Sequence, residues 1–335
     1  MLNLKNNMKI HFIGIGGAGM LPLSIHSKVL GHIVSGSDLS DENFHILYEE
    51  GIYPVKGHKN VNSDIDLVVY SVAVSEDNSE MVSARNQNIP IVKRAEYLGM
   101  ITKSSHAILV SGSHGKSTTS AMTADMLNND DNFKATALIG AETISRNSNY
   151  YKGCGDYIIL EADEYDRSFL KLYPTDLIIM NIDDDHLDIY GDIEGLKHGF
   201  KELISKLNEN SILIYNGDDK MTVETVQSSK SKKISFGIKN PCVYNAENIE
   251  YKNFYTKFDL YNEGKFITQL EYFYSGDHNV YNMLAAVSLL CEYNVKGKRI
   301  SELVKYFKGV KRRQEIIYQD SDYILMDDYG HHPSE

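Results

Sequence analysis

The stretch "GSHGKST" (112–118) sets a lysine and two hydroxyls directly after a pair of glycines. It follows Ile108, Leu109 and Val110, an apolar run with the character of a buried strand. Gly112 and Gly115 open a loop that, with Ser113, His114 and Thr118, is suited to cradling phosphate. Lys116 can reach the β- and γ-phosphates of a nucleoside triphosphate, and the Ser117 hydroxyl can bind Mg2+. The spacing is G-x-x-G-K-S. The commoner G-x-x-x-x-G-K-S would need glycine at Val110.

Two further apolar runs end in groups that such a site requires. "YIILEADEYD" (157–166) ends in Glu161, with Asp163 and Glu164 just after. "DLIIMNIDDDHLD" (176–188) leads through Asn181 to Asp185, His186 and Asp188. Ligands gather at the carboxyl ends of parallel strands, so Lys116, Ser117, Glu161 and His186 are expected in one crevice. Carboxylate and hydroxyl oxygens suit Mg2+, and His186 could ligate a second ion. The competing reading of His186 is a surface loop histidine bonded to Asp185 or Asp188.

Downstream, "GDHNVYNMLAAVSLL" (276–290) reads as a helix with His278 and Asn282 on one face near its start. An amide both donates and accepts, which suits an adenine edge; alternatively, Asn279 caps the helix. "ISELVKYFKGVKRRQE" (300–315) reads as a helix leading to Arg312 and Arg313, which are either solvated charges or contacts to a γ-phosphate.

Near the N-terminus, Gly14-x-Gly16-x-x-Gly19, with Gly17 between, follows the apolar "KIHFI" (9–13). Asp38 lies 19 residues after the last of these glycines. Glycines let backbone approach a pyrophosphate, the next helix N-terminus favours its charge, and the acid can hold a ribose hydroxyl. NAD and a UDP-sugar both meet that description, and a bare strand–helix turn would use the same glycines.

These loops need parallel strands behind them. "HIVSGSD" (32–38), "DIDLVVYS" (64–71) and "IPIVK" (89–93), with helical stretches between, make the first hundred residues an α/β unit with a parallel, Rossmann-like sheet. The second part, a P-loop-type α/β unit, adds strands at 212–219 and 233–237 and an antiparallel hairpin at 254–260 and 266–274. Boundaries fall near "GMITKSS" (99–105) and "GVKRRQE" (309–315), dividing the chain into 1–103, 104–312 and 313–335. A fresh strand at 323–330 opens the last part, and its Ile324, Leu325 and Met326 are expected to be exposed and unpaired.

With 46 acids against 34 bases, the net charge of −12 argues against a general nucleic-acid binder. Cys154, Cys242 and Cys291 are scattered, so neither a disulfide framework nor a structural zinc is expected. The N-terminus lacks a signal-peptide core, and no stretch approaches the ~18 apolar residues of a membrane span. The expected setting is the cytoplasm, with no membrane insertion.

Taken in order, "IHFIGIGGAGM", "GSHGKSTT", "EADEYDRSF", "NIDDDHLD", "GDHNVYNMLAA", "RRQE" and "DDYGHHPSE" resemble the Mur ligases, the ATP-dependent amide-forming enzymes of peptidoglycan synthesis. The opening stretch is most similar to the branch that joins L-alanine to UDP-N-acetylmuramate through an acyl phosphate, with ATP and Mg2+. The murein tripeptide ligases are the alternative, and a non-catalytic UDP-sugar- and ATP-binding remnant a further one. The resemblance implies UDP-substrate binding by the first unit and ATP binding by the second, with a third α/β domain for the amino acid. It implies that His278, Asn279 and Asn282 hold adenine, Arg313 meets the γ-phosphate and Asp328 the ribose, while Tyr329 and His331 face the amino acid. Lys116, His186 and Arg313 would carry catalysis. Neither Lys197 nor Lys201 is assigned the carbamylation some relatives use. Because "DDYGHHPSE" is similar to the opening strand of the third domain, the chain is expected to lack most of that domain and to be inactive alone.

Overall fold

The computed structural model describes residues 4–58, 60–184 and 187–330, without the side chains of Leu187 and Asp188. The chain divides into two compact units, residues 1–104 and 105–335.

In the first unit, strands β1 (Lys9–Ile13), β2 (Ile33–Asp38), β3 (Val55–Lys56), β4 (Leu67–Tyr70) and β5 (Ile91–Lys93) pair in the order β3-β2-β1-β4-β5. Every pairing is parallel. Strand β4, "LVVY", is buried along its length, as a strand covered on both faces must be. β1 gives way to the glycine loop, and helix Leu21–Val29 follows with Pro22 in its first turn.

The second unit contains strands β6 (His106–Ser111), β7 (Thr136–Thr143), β8 (Ser148–Tyr151), β9 (Tyr157–Glu161), β10 (Asp176–Ile179) and β11 (Ile212–Asn216). It continues with β12 (Lys232–Gly237), β13 (Tyr244–Lys252), β14 (Tyr255–Asn262) and β15 (Lys265–Phe273). Their order is β15-β14-β13-β12-β11-β10-β6-β9-β7-β8. From β13 to β7 the pairings are parallel, and antiparallel hairpins close both ends. The hairpin expected at 254–274 is present as β14–β15. The β7–β8 hairpin and strand β13 have no counterpart in the sequence reading. Helices Lys116–Asn128 and Asp277–Glu292 pack together in the core, and Met122, Met126, Leu284 and Val287 are fully buried.

Two expectations need correction. The helix read as running from 300 up to Arg312 is only Gly297–Leu303 plus a 3-10 turn, Val304–Tyr306. Gly309 (φ +113°), Arg312 (φ +60°) and Gln314 (φ +47°) then take conformations that no helix continues. Instead the chain is pinned by Tyr274, whose hydroxyl accepts from Val310 N–H (2.7 Å) and donates to the Arg313 carbonyl (2.5 Å). The terminal strand is also not unpaired. β17 (Ile324–Asp327) pairs antiparallel with β16 (Glu315–Gln319), although Ile324, Leu325 and Met326 stay exposed as expected. Among the described residues, no helix is long and apolar enough to cross a membrane.

Close packing of β1 on β2 depends on Gly36, where an added Cβ would lie 2.6 Å from the Phe12 carbonyl oxygen and from Ile15 Cδ1. Gly36→Ala is expected to destabilise the first unit by about 1–3 kcal/mol. Urea unfolding followed by circular dichroism checks this, and an unshifted midpoint would contradict the packing described.

Candidate active site

β6 ends at Ser111, and the loop that follows is held by the exit of β10. Ser113 N–H donates to the Asn181 carbonyl (3.1 Å) and His114 N–H to Asn181 Oδ1 (2.8 Å), while Asn181 Nδ2 returns a bond to the His114 carbonyl (3.0 Å). Glycine is needed twice. Gly112 (φ +135°) leaves 2.9 Å between a would-be Cβ and the Asn181 carbonyl, and Gly115 (φ +84°) leaves 2.5 Å to Asn282 Oδ1. Helix Lys116–Asn128 starts immediately after, so its free N–H groups and positive dipole end face the loop.

Two adjacent side chains at that helix start meet two carboxylates, Glu161 at the end of β9 and Glu164 in the loop after it. Ser117 Oγ donates to Glu161 Oε2 at 3.0 Å, and Gly140 N–H, from β7, donates to Glu161 Oε1 at 2.6 Å. Burial pushes the Glu161 carboxyl above its ordinary pKa, against the pull of those two donors. Lys116 Nζ lies 2.9 Å from both carboxylate oxygens of Glu164, which is completely buried, and 2.6 Å from the Gly112 carbonyl. Burial likewise pushes the Glu164 carboxyl up, opposed by Lys116.

Facing this cluster is the start of helix Asp277–Glu292. The N-cap is Gly276, and Asn279 lies inside the first turn, buried, which rules out the capping reading. Its Nδ2 donates to the Ser275 carbonyl (3.0 Å) and to Gln314 Oε1 (3.2 Å). Its Oδ1 accepts from Asn282 Nδ2 (3.1 Å), and Asn282 Oδ1 accepts from the Thr119 hydroxyl (3.2 Å). Burial lowers the His278 pKa, favouring the neutral ring. The pinned segment brings Arg313 across from this helix, and Gln314 N–H holds Asp328 Oδ2 at 3.2 Å.

A cavity of about 420 Å³ joins these groups. Its walls include Ser113 to Thr118, Glu161, His278, Asn279, Asn282, Arg313 and Asp328. Gly112 and Tyr329 do not line it; Tyr329 is exposed, with the Arg312 and Arg313 guanidiniums 4.7 and 5.4 Å from its ring centre. His186 and His331 lie outside the described residues. Gly140, Asn181, Tyr274, Tyr281 and Gln314 also line the cavity and were given no role from sequence. Asn181 alone had a local signal, its position at the end of an apolar run.

In the first unit, Gly14 (φ +79°) begins the loop, and Gly17 N–H returns to the Gly14 carbonyl at 3.2 Å. Asp38 Oδ2 accepts from Gly16 N–H (2.8 Å), so the acid tethers the loop itself. Arg94, unremarked in the sequence, sits 2.7 Å from where a Cβ on Gly19 would stand, placing a guanidinium beside the helix N-terminus.

Residues 110–290 match the family model for the Mur ligase middle domain, and residues 9–106 match that for the Mur ligase family, catalytic domain. The chain belongs to the Mur ligase family. It is 37% identical to the UDP-N-acetylmuramate–L-alanine ligase of Aquifex aeolicus over 98% of this chain and 72% of that one. The Clostridium novyi enzyme of the same name is 39% identical over 98% and 72%. The crystal structure of the Thermotoga maritima UDP-N-acetylmuramate–alanine ligase superposes with a TM-score of 0.83 at 31% identity, covering 98% of this chain and 75% of that one. A murein peptide ligase from Psychrobacter arcticus shares the Mur ligase fold, with a TM-score of 0.81 at 24% identity.

Tyr274→Phe removes the hydroxyl that seats Val310 and Arg313. Leaving the buried Val310 N–H unpaired is expected to cost about 1–3 kcal/mol of stability and to weaken ATP binding severalfold. Denaturant melts and calorimetric titration with ATP measure the two effects; unchanged ATP affinity would show that Tyr274 does not position Arg313 for nucleotide.

Proposed function

We propose that this protein joins L-alanine to UDP-N-acetylmuramate at the expense of ATP. The observation that carries the reading is a single cavity holding Lys116 and Ser117 on one wall and Asn279, Asn282, Arg313 and Asp328 on the other. It has the size and polarity for a nucleoside triphosphate, and the family relationship supplies the reaction.

Amide formation from a carboxylate and an amine is uphill in water, so the carboxylate needs activation. The substrate carboxylate oxygen would attack the γ-phosphorus and expel ADP, giving an acyl phosphate. The alanine amine would then attack the acyl carbon and expel phosphate. Both the carboxylate and the triphosphate are anions, so cations must bring them together. Lys116 would contact the β- and γ-phosphates and Arg313 the γ-phosphate, while the dipole of helix Lys116–Asn128 favours the same charge. His278, Asn279 and Asn282 would border the adenine, and Asp328 the ribose. In the first unit, the glycine loop, tethered by Asp38 and flanked by Arg94, would take the UDP diphosphate.

The residues fit Mg2+. Ser117 and Glu161 present a hydroxyl and a carboxylate at 3.0 Å from each other, and Mg2+ takes one or two protein oxygens together with phosphate oxygens. Among the described residues no larger cluster of metal-ligating side chains forms. The ion supplies charge neutralisation on the phosphates when bound.

Calorimetry should show binding of UDP-N-acetylmuramate and of ATP, and none of NAD. Lys116→Ala should weaken ATP at least ~10-fold, the loss expected for a charged contact, and leave UDP-N-acetylmuramate unchanged. Phosphate release should require L-alanine. NAD binding in place of the UDP-sugar, or full ATP affinity in Lys116→Ala, would overturn the reading.

A further inference from the structure

Lys116 has three N–H donors and four close acceptors. They are the carbonyls of Gly112 (2.6 Å) and Ser113 (3.2 Å) and the two oxygens of Glu164 (2.9 Å each). Every donor is therefore engaged within the protein. A phosphate oxygen can reach the ammonium only by displacing one of these acceptors. The two carbonyls belong to the phosphate-binding loop itself. Glu164 comes from the loop after β9 and is the acceptor that carries the same charge as phosphate.

The main chain of Glu164 is also anchored. Its own carbonyl accepts from the Tyr190 hydroxyl (2.7 Å) and from Arg167 N–H (3.0 Å). Asp166 and Arg167, with φ of +51° and +54°, turn the chain sharply just beyond it. The carboxylate is fully buried, whereas Lys116 reaches the cavity with its side chain 15% exposed. Three residues earlier, Glu161 bonds Ser117 and Gly140 instead, so the two glutamates are divided between two neighbouring residues of the helix start.

We propose that Glu164 is a positioning residue that stands in for nucleotide phosphate at Lys116, and that ATP must take the ammonium from it. In the empty site it keeps the lysine at the loop mouth. In the filled site it competes with the triphosphate for one cation. The inference rests on Lys116 being the phosphate-binding group proposed above.

Glu164→Gln keeps the shape and an acceptor and removes the competing charge. It is expected to tighten binding of ATP and of inorganic triphosphate by about tenfold, the scale of one close charge interaction. Adenosine, which has no phosphate, should bind as before. A merely structural glutamate would instead weaken ATP and adenosine together. On a Lys116→Ala background the substitution should have much less effect. If Glu164→Gln does not fold, Glu164→Asp, which draws the carboxylate back by one methylene, carries the test with smaller tightening in the same direction. Calorimetry with the three ligands decides. Unchanged or weaker ATP binding in the folded variant, with Lys116→Ala still losing ATP, would overturn this inference alone. Full ATP affinity in Lys116→Ala would overturn the assignment of Lys116 and this inference with it.

Discussion

The parallel register of three central strands is the constraint on which the site depends. Val110 of β6 lies opposite Glu161 of β9 and Ile178 of β10. All three strands therefore end at one level, and their loops leave on one edge of the sheet. A slip of one residue would turn each strand's side chains to the opposite face. Glu161 would then point away from Ser117, and Asn181 would no longer reach the loop at His114. The apolar residues around these positions, Ile108, Val110, Ile159 and Ile178, are fully buried and make such a slip expensive.

Given that register, electrostatics sets the character of the loop edge. Two carboxylates beside a helix N-terminus, Glu164 fully buried and Glu161 half-buried, would be costly without partners. Glu161 receives a hydroxyl and a backbone N–H, and Glu164 receives an ammonium. Breaking the Lys116–Glu164 arrangement leaves a buried charge uncompensated, which is more harmful than never having had it. Across the cavity the logic is neutral, with amides bonded to amides and to a hydroxyl. The Lys116 side of the cavity is thus built on paired charges, whereas the facing helix start offers bonded amides, with Arg313 and Asp328 beside them.

Much of this was legible in the sequence wherever a feature is local. The glycines, Lys116 and Ser117 sit at a strand–helix junction because buried apolar runs and turn residues are adjacent in the chain. Glu161 and Asn279 were legible for the same reason. What escaped is non-local. Gly140 meets Glu161 only because β7 pairs with β9, and nothing near Gly140 announces that. Arg94 stands beside Gly19 across most of the first unit's sequence. The helix read as leading to Arg312 stops earlier because the hydroxyl of Tyr274, 36 residues before Val310, holds the backbone in another course. β16 was missed because only its pairing with β17 makes it a strand.

The buried amides carry a direction. The Ser275 carbonyl can only accept, so Asn279 must turn its nitrogen toward it and its oxygen toward Asn282. Asn282 must then offer nitrogen to Asn279 and oxygen to Thr119, whose hydroxyl supplies the matching proton. No member can rotate by half a turn without the next one rotating too, and the backbone carbonyl at the end forbids the first step. The pair consequently has one polarity, written into the main chain. A heteroaromatic edge brought against the pair meets one fixed order of amide donors and acceptors.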